Sequence, residues 1–143
     1  MSWYNSIVIG LLRSPLHPMM SKSTMIVNYE GRKSGRPYQL PVNYVEHGEH
    51  LLTLSNADRT WWKNLRDGAP VTLRLRGRDV SATGVVDEDD ATVGEGLLTL
   101  FAAQPQYARF FNIKVDDKGQ PLDAGAFAVV VKEKVIVRFT DLQ

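Results

Sequence analysis

Two stretches of the sequence carry side chains that could do chemistry. The first is Gly31-Arg32-Lys33-Ser34-Gly35-Arg36. Its two glycines allow tight or left-handed backbone, so successive amide N–H groups can point at one anion. Arg32, Lys33 and Arg36 supply charge and Ser34 a hydroxyl. A charge-assisted hydrogen bond to a phosphate is worth roughly 1.5–3 kcal/mol, so two or three would dominate a ligand's affinity. The spacing is not that of a P-loop, and a strand pattern follows rather than a helix. On its own the hexapeptide also fits a solvated basic hairpin turn.

The second stretch is Thr60-Trp61-Trp62-Lys63-Asn64-Leu65, which holds two of the three tryptophans. Neighbouring residues on a helix do not share a face. One tryptophan is therefore expected in the core and the other against a cleft or a partner. Thr60 and Asn64 lie on one face, and Arg59 and Lys63 add positive charge near a helix start that already favours anions. Tryptophan anchors in a small core with a polar surface are the plainer reading.

The remaining candidates are weaker. His47 and His50 flank Gly48-Glu49 with no third ligand nearby, which suits a solvated turn better than a metal site. His17 is isolated. Gly94-Glu95-Gly96 has Thr99 where a dinucleotide fingerprint needs its third glycine. Asp87–Asp90 reads as a solvated helix start. No Ser-His-Asp order with a nucleophile elbow is visible, and there is no cysteine to supply a thiolate. An enzyme with such a set of residues must borrow its chemistry from a cofactor.

The elements that position these residues follow from hydrophobic periodicity. Trp3, Ile7 and Leu11 predict a helix over 3–13, followed by a loop holding Pro15, Pro18 and Met19-Met20. Alternation predicts strands at Thr24–Glu30, Pro37–Glu46, Leu51–Ser55, Val71–Arg76, Val80–Val86 and Val135–Phe139. Thr60–Arg66 is a short helix stopped by Asp67-Gly68 and Pro70. Val93, Leu97, Leu100 and Phe101 mark a second helix, and Pro105–Asn112 another short one. Ala124–Lys132 is left between helix and strand: its β-branched residues favour a strand, yet no turn residue separates it from the last one. Short turns join antiparallel strands only, which excludes a doubly wound nucleotide-binding sheet and suggests a small closed barrel.

The chain has 143 residues, a length that suits one domain over 1–143. With 43% hydrophobic and 23% charged residues it is neither disordered nor fibrous. No apolar run is long enough to cross a bilayer and no signal-peptide pattern is seen, so a cytoplasmic location is expected. Net charge is +1, but residues 1–86 hold eleven Lys/Arg against six Asp/Glu, and residues 87–143 six against ten. One basic half fits a small anionic ligand better than bulk nucleic acid.

Together these segments resemble the deazaflavin-dependent nitroreductase/quinone reductase family of split β-barrel oxidoreductases. The matching pieces are Leu11–His17, Gly31–Arg36, Leu40-Pro41-Val42-Asn43-Tyr44-Val45, Trp61–Leu65 and Val71–Arg78, in the family's order. Residues 87–143 match only in general character. The resemblance implies an α+β, mainly antiparallel split β-barrel of the FMN-binding-like type, with 24–86 holding the barrel strands and cofactor site. It implies the coenzyme F-420, an 8-hydroxy-5-deazaflavin, with FMN as the alternative. The coenzyme's phosphate and acidic tail would meet Arg32, Lys33, Ser34 and Gly35. Its ring would lie along Pro41, Val42 and Asn43 and the strand end at Ser55 and Asn56, with Trp62 lining the groove and Asn64 reaching the phosphate side.

The expected activity is hydride transfer from the reduced deazaflavin to a small organic acceptor such as a quinone, nitro compound or activated alkene. The rivals are an FMN-dependent reductase or oxidase on the same barrel and a non-catalytic cofactor- or nucleic-acid-binding module. Ser55, Tyr44 and Tyr107 are hydroxyls able to protonate the product. Met19-Met20, Trp3 and Phe110-Phe111 are candidates for a hydrophobic lid. A monomer or homodimer is expected, without firm membrane association.

Overall fold

A computed structural model describes residues 24–103, 106–118 and 120–143. The predicted helix over 3–13 and the loop after it, with Trp3, His17, Met19 and Met20, lie outside the described residues. Among the described residues seven strands form one antiparallel sheet: β1 (Thr24–Glu30), β2 (Pro37–Asn43), β3 (Val45–His47), β4 (His50–Asn56), β5 (Ala69–Leu75), β6 (Arg78–Asp87) and β7 (Lys134–Thr140). Their spatial order is β2-β1-β5-β6-β7-β4-β3. The two end strands, β2 and β3, are joined by Tyr44 alone, so the sheet must curl until its edges meet.

They meet at one end only. The Thr53 hydroxyl on β4 donates to the Asn43 carbonyl on β2 at 3.0 Å. From there a seam runs back along β2 toward Pro37, six residues away, or about 20 Å of extended chain. No ladder pairs β2 with β4 along it.

Period-two alternation separates two hydrophobic layers. Met25, Val27, Leu40, Val42, Leu51, Val71, Leu73, Val135, Val137 and Phe139 fill the barrel. Leu52 and Ile136, one residue out of phase, face the other way onto a helical layer. That layer is α1 (Asp90–Ala103), α2 (Gln106–Phe110) and α3 (Ala124–Glu133). Val93, Leu97, Leu100 and Phe101 of α1 are buried against it, as the helical spacing predicts.

Ala124–Lys132 is therefore helical. Asp123 caps it, accepting from the Gly125 and Ala126 amides at 3.0 and 3.1 Å. No turn residue follows because Lys134 simply takes an extended conformation, φ −124° and ψ 159°, and β7 begins there. The predicted strand Pro37–Glu46 is two strands, broken at Tyr44, where the chain passes from one sheet edge to the other. Asp87 is not part of a solvated helix start. It ends β6, is 9% exposed, and takes two hydrogen bonds from the Arg138 guanidinium at 2.8 and 3.0 Å. The actual helix start is capped by Asp89, which accepts from the Thr92 amide and hydroxyl; these bonds hold its carboxyl below the usual range.

Candidate functional site

The cationic turn and the double-tryptophan segment come together. The Arg32 amide donates to Asn64 Oδ1 at 2.8 Å, and the Arg32 guanidinium reaches Asp67 at 3.2 Å. Trp61–Leu65 forms a single 3-10 helix. The residues after it turn back through Asp67 (φ 66°) and Gly68 (φ 84°), where the Gly68 amide bonds the Leu65 carbonyl at 3.0 Å. Leu65 is fully buried over Gly84 of β6; a Cβ at Gly84 would lie 3.0 Å from Leu65 Cδ1. That close approach seats the helix inside one end of the barrel.

Both tryptophans are buried, at 7% and 3% exposure, which corrects the expectation that one of them faces a cleft. Five residues of 3-10 helix are wide enough to bury two adjacent side chains because barrel walls lie on more than one side. Each indole N–H finds an acceptor on β4: Trp61 Nε1 donates to Ser55 Oγ at 2.9 Å and Trp62 Nε1 to the Asn56 carbonyl at 3.2 Å. The Arg66 guanidinium lies 5.0 Å from the Trp62 ring centroid and Lys63 Nζ 5.8 Å, closing the outer side.

The turn Gly31–Arg36 is internally bonded. The Gly31 amide donates to the Arg36 carbonyl and the Gly35 amide to the Gly31 carbonyl, both at 2.8 Å. The Arg36 amide donates to Ser34 Oγ at 3.2 Å. With the Arg32 amide on Asn64, the amides of Lys33 and Ser34 are those without a hydrogen-bond acceptor among the described residues. An amide nest here therefore has two donors, fewer than two bracketing glycines suggested. Gly35 is needed at φ 69°, a conformation other residues reach at a cost. Lys33 and Arg36 are exposed and make no ion pair among the described residues.

Pro41, Val42 and Asn43 lie on β2, the wall of the seam. Val42 is buried in the barrel core. Asn43 is exposed, and its Oδ1 accepts from the Thr24 hydroxyl at 3.0 Å. Ser55 and Asn56 end β4 on the opposite wall. Ser55 is buried under Trp61, while exposed Asn56 takes a hydrogen bond from the Lys134 ammonium through Oδ1. Among the hydroxyls, Tyr44 is buried in the barrel core and Tyr107 packs in the helical layer outside the sheet. Phe111 packs in that layer too, with Lys134 Nζ 4.8 Å from its ring.

The structure adds residues that the motifs did not single out. Tyr29 and Tyr38 flank the cationic turn and face each other across the β1–β2 ladder. Their rings stack at 5.5 Å and 21°, and Tyr29 lies 6.3 Å from Trp61. Burial, and next the neighbouring Tyr38, push the Tyr29 phenol above its ordinary 10.0, with the positive charge of Arg59 opposing. The signal was present: Tyr29 shares the phase of Met25 and Val27, one residue before the end of the strand.

No protein family and no curated protein matches the chain at the level of sequence. Solved structures do match in fold. The FAD and heme binding protein from Mycobacterium smegmatis superposes at TM-score 0.51 with 16% identity, over 90% of this chain and 66% of that one. A conserved hypothetical protein from Mycobacterium tuberculosis gives 0.52 and 13%, over 96% and 79%. A general stress protein 26-related protein of the pyridoxinephosphate oxidase family, from Clostridium acetobutylicum, gives 0.50 and 12%, over 92% and 83%. With a curled antiparallel sheet parted along one seam and covered by helices on one face, this chain is a split β-barrel of the FMN-binding-like type.

Proposed function

We propose that the seam between β2 and β4 binds a flavin-class redox coenzyme, best read as the 8-hydroxy-5-deazaflavin F-420, and that the protein is a hydride-transferring oxidoreductase. The observation that carries this is the 2.8 Å bond from the Arg32 amide to Asn64 Oδ1. It fixes a cationic turn at the open end of a groove whose other end is closed by Thr53 and Asn43. A phosphorylated ligand with a flat ring and an acidic tail has that shape and charge.

The residues fit such a group. The free amides of Lys33 and Ser34 would take the phosphate and tail, with the cations of Lys33 and Arg36 and with the Arg32 guanidinium, which would exchange its surface pair with Asp67 for the ligand. Gly35 holds the turn open, and Asn64 sets its position. Pro41 and Asn43 would border the ring on one side and Ser55 and Asn56 on the other. Val42 and Trp62 support these walls from inside the barrel. The coenzyme would supply the hydride; the chain binds, orients and excludes water. Ser55 would support the β4 wall from beneath Trp61, accepting the indole N–H and donating to the Asn56 carbonyl. Neighbours of the same fold bind FAD and heme or belong to the pyridoxinephosphate oxidase family, which supports a flavin-type ligand.

The acceptor we assign is a quinone, nitro compound or activated alkene. The second reading is FMN as coenzyme, and the neighbour of the same fold that binds FAD and heme supports a flavin of that kind. Parallel titrations of the purified protein with oxidised deazaflavin and with FMN test the choice. Tighter binding of the deazaflavin is expected; binding of FMN alone would transfer the site to the second reading, and binding of neither would remove it.

A further inference from the structure

An aromatic row crosses the barrel beside the cationic turn, running from Tyr38 on β2 through Tyr29 on β1 to Trp61, whose indole bonds Ser55 on β4. Trp61 is buried and Tyr29 half-buried. The outer member is open: Tyr38 is 42% exposed, one of few large hydrophobic residues so placed among the described residues.

Exposure alone would mean little, but this ring is held. Tyr29 stacks on one face at 5.5 Å. Gly31 lies against its edge, and a Cβ there would sit 3.0 Å from Tyr38 Cε2. A fixed, half-open tyrosine at the rim of a groove loses little side-chain entropy when a flat molecule settles on it. The surroundings also supply hydrogen-bond donors. A groove of about 770 Å³ is lined by both tyrosines together with Asn28, Gln39, Thr72 and Ser81. That size is in the range of small-molecule sites, roughly 300–1,000 Å³. Gln39 Nε2 bonds Asn28 Oδ1 at 2.8 Å, and Asn28 Nδ2 bonds the Thr72 carbonyl at 2.9 Å, so the polar rim is ordered.

We infer that Tyr38 is the stacking residue of a site for planar conjugated molecules, separate from the seam proposed for the coenzyme, and that it selects them over small aliphatic ones. The lining of this groove shares no residue with those assigned to the coenzyme, so binding here can be measured without coenzyme. Stacking of one ring on an aromatic side chain is worth up to about tenfold in affinity.

The test is quenching of tryptophan fluorescence in the coenzyme-free protein by menadione, a planar naphthoquinone. Trp61 stands next to Tyr29 in the row, so a bound quinone lies within quenching range. Saturable quenching is expected. Tyr38→Phe should keep the Kd within about twofold, and Tyr38→Leu should raise it about five- to tenfold. Tyr38→Gln, polar and suited to an exposed position, is the second variant and should show the same loss. The melt of Tyr38→Phe should match the parent, and those of Tyr38→Leu and Tyr38→Gln should fall by only a few degrees, since both give up the stack on Tyr29 but stay folded. Unsaturable quenching, or an unchanged Kd in both Tyr38→Leu and Tyr38→Gln, overturns the inference. The two readings fail separately: menadione binding through Tyr38 without deazaflavin binding keeps this inference and removes the proposed coenzyme, and the reverse result does the opposite.

Discussion

Asn64→Asp separates the structural role of the turn–helix contact from its proposed ligand role. The aspartate keeps an oxygen where Asn64 Oδ1 accepts the Arg32 amide at 2.8 Å. It loses the amide donor that reaches the Trp61 carbonyl at 3.1 Å and the Thr60 carbonyl at 3.5 Å. Those contacts are exposed or half-buried, so their loss costs about 0.5–1 kcal/mol, partly offset by the stronger bond from an amide to a carboxylate. Folding stability should hardly change.

Ligand binding should change. A phosphate held by the free Lys33 and Ser34 amides would lie about 7 Å from the new carboxylate, one peptide step beyond the Arg32 amide. Two unit charges at that distance repel by about 0.6 kcal/mol in bulk water and about 2.4 kcal/mol at an effective dielectric of 20. The midpoint, about 1.5 kcal/mol, is roughly a tenfold loss of coenzyme affinity. Fluorescence titration with oxidised deazaflavin at two salt concentrations would read it, and added salt should shrink the difference. Asn64→Ala, which adds no charge, should weaken binding less than Asn64→Asp. Equal affinity for Asn64→Asp and the parent, with both folded, would refute the placement of an anion at this turn.

Two further outcomes concern stability. Arg138→Leu leaves the Asp87 carboxylate, 9% exposed, without its paired guanidinium; the cost is roughly 2–3 kcal/mol, below that of a fully buried pair, and urea unfolding would show it as a lower midpoint at unchanged m-value. At alkaline pH, Tyr29 and Tyr107 both carry phenols raised above 10.0, Tyr29 by burial and then Tyr38, Tyr107 by burial. The folded state binds these protons more tightly than the unfolded chain. Their contribution is therefore complete below pH 10.0 and is lost as pH rises through the raised values. The alkaline limb of a stability profile should flatten in Tyr29→Phe and Tyr107→Phe, and an identical limb in both variants would contradict this assignment.

Much of the architecture is legible in the residue pattern, for identifiable reasons. β1 spans Thr24–Glu30 as read, because Met25, Val27 and Tyr29 keep one phase and a glycine follows the strand. The helix of Val93, Leu97, Leu100 and Phe101 declares itself through a periodicity that survives two internal glycines. Where the reading failed, a tertiary partner decided the outcome. Tyr44 breaks a strand because the sheet edges meet there, which no local pattern encodes. Asp87 looked like the first of four acidic residues at a helix start; only Arg138, far along the chain, marks it as buried. Trp61 and Trp62 follow one another, and helical geometry alone sends them apart; the Ser55 and Asn56 acceptors on β4 draw both inward. For the site, charge and glycine placement pointed to the turn, while the partners of its amides emerged only with the fold: Asn64, Arg36, Gly31 and Ser34 occupy four of the donors. The Tyr38–Tyr29–Trp61 row escaped notice because its members come from three elements.

The most direct test of the account is one titration of oxidised deazaflavin into the parent protein and into Arg32→Ala/Lys33→Ala. Both residues are on the exposed turn, and Arg32 forms only a surface ion pair with Asp67, so the double variant should fold. A loss of affinity of about 10²-fold or more is the predicted result, since two charge-assisted contacts are removed. An affinity equal to that of the parent, in a protein shown to be folded, would contradict the claim that this turn holds the coenzyme's anionic arm.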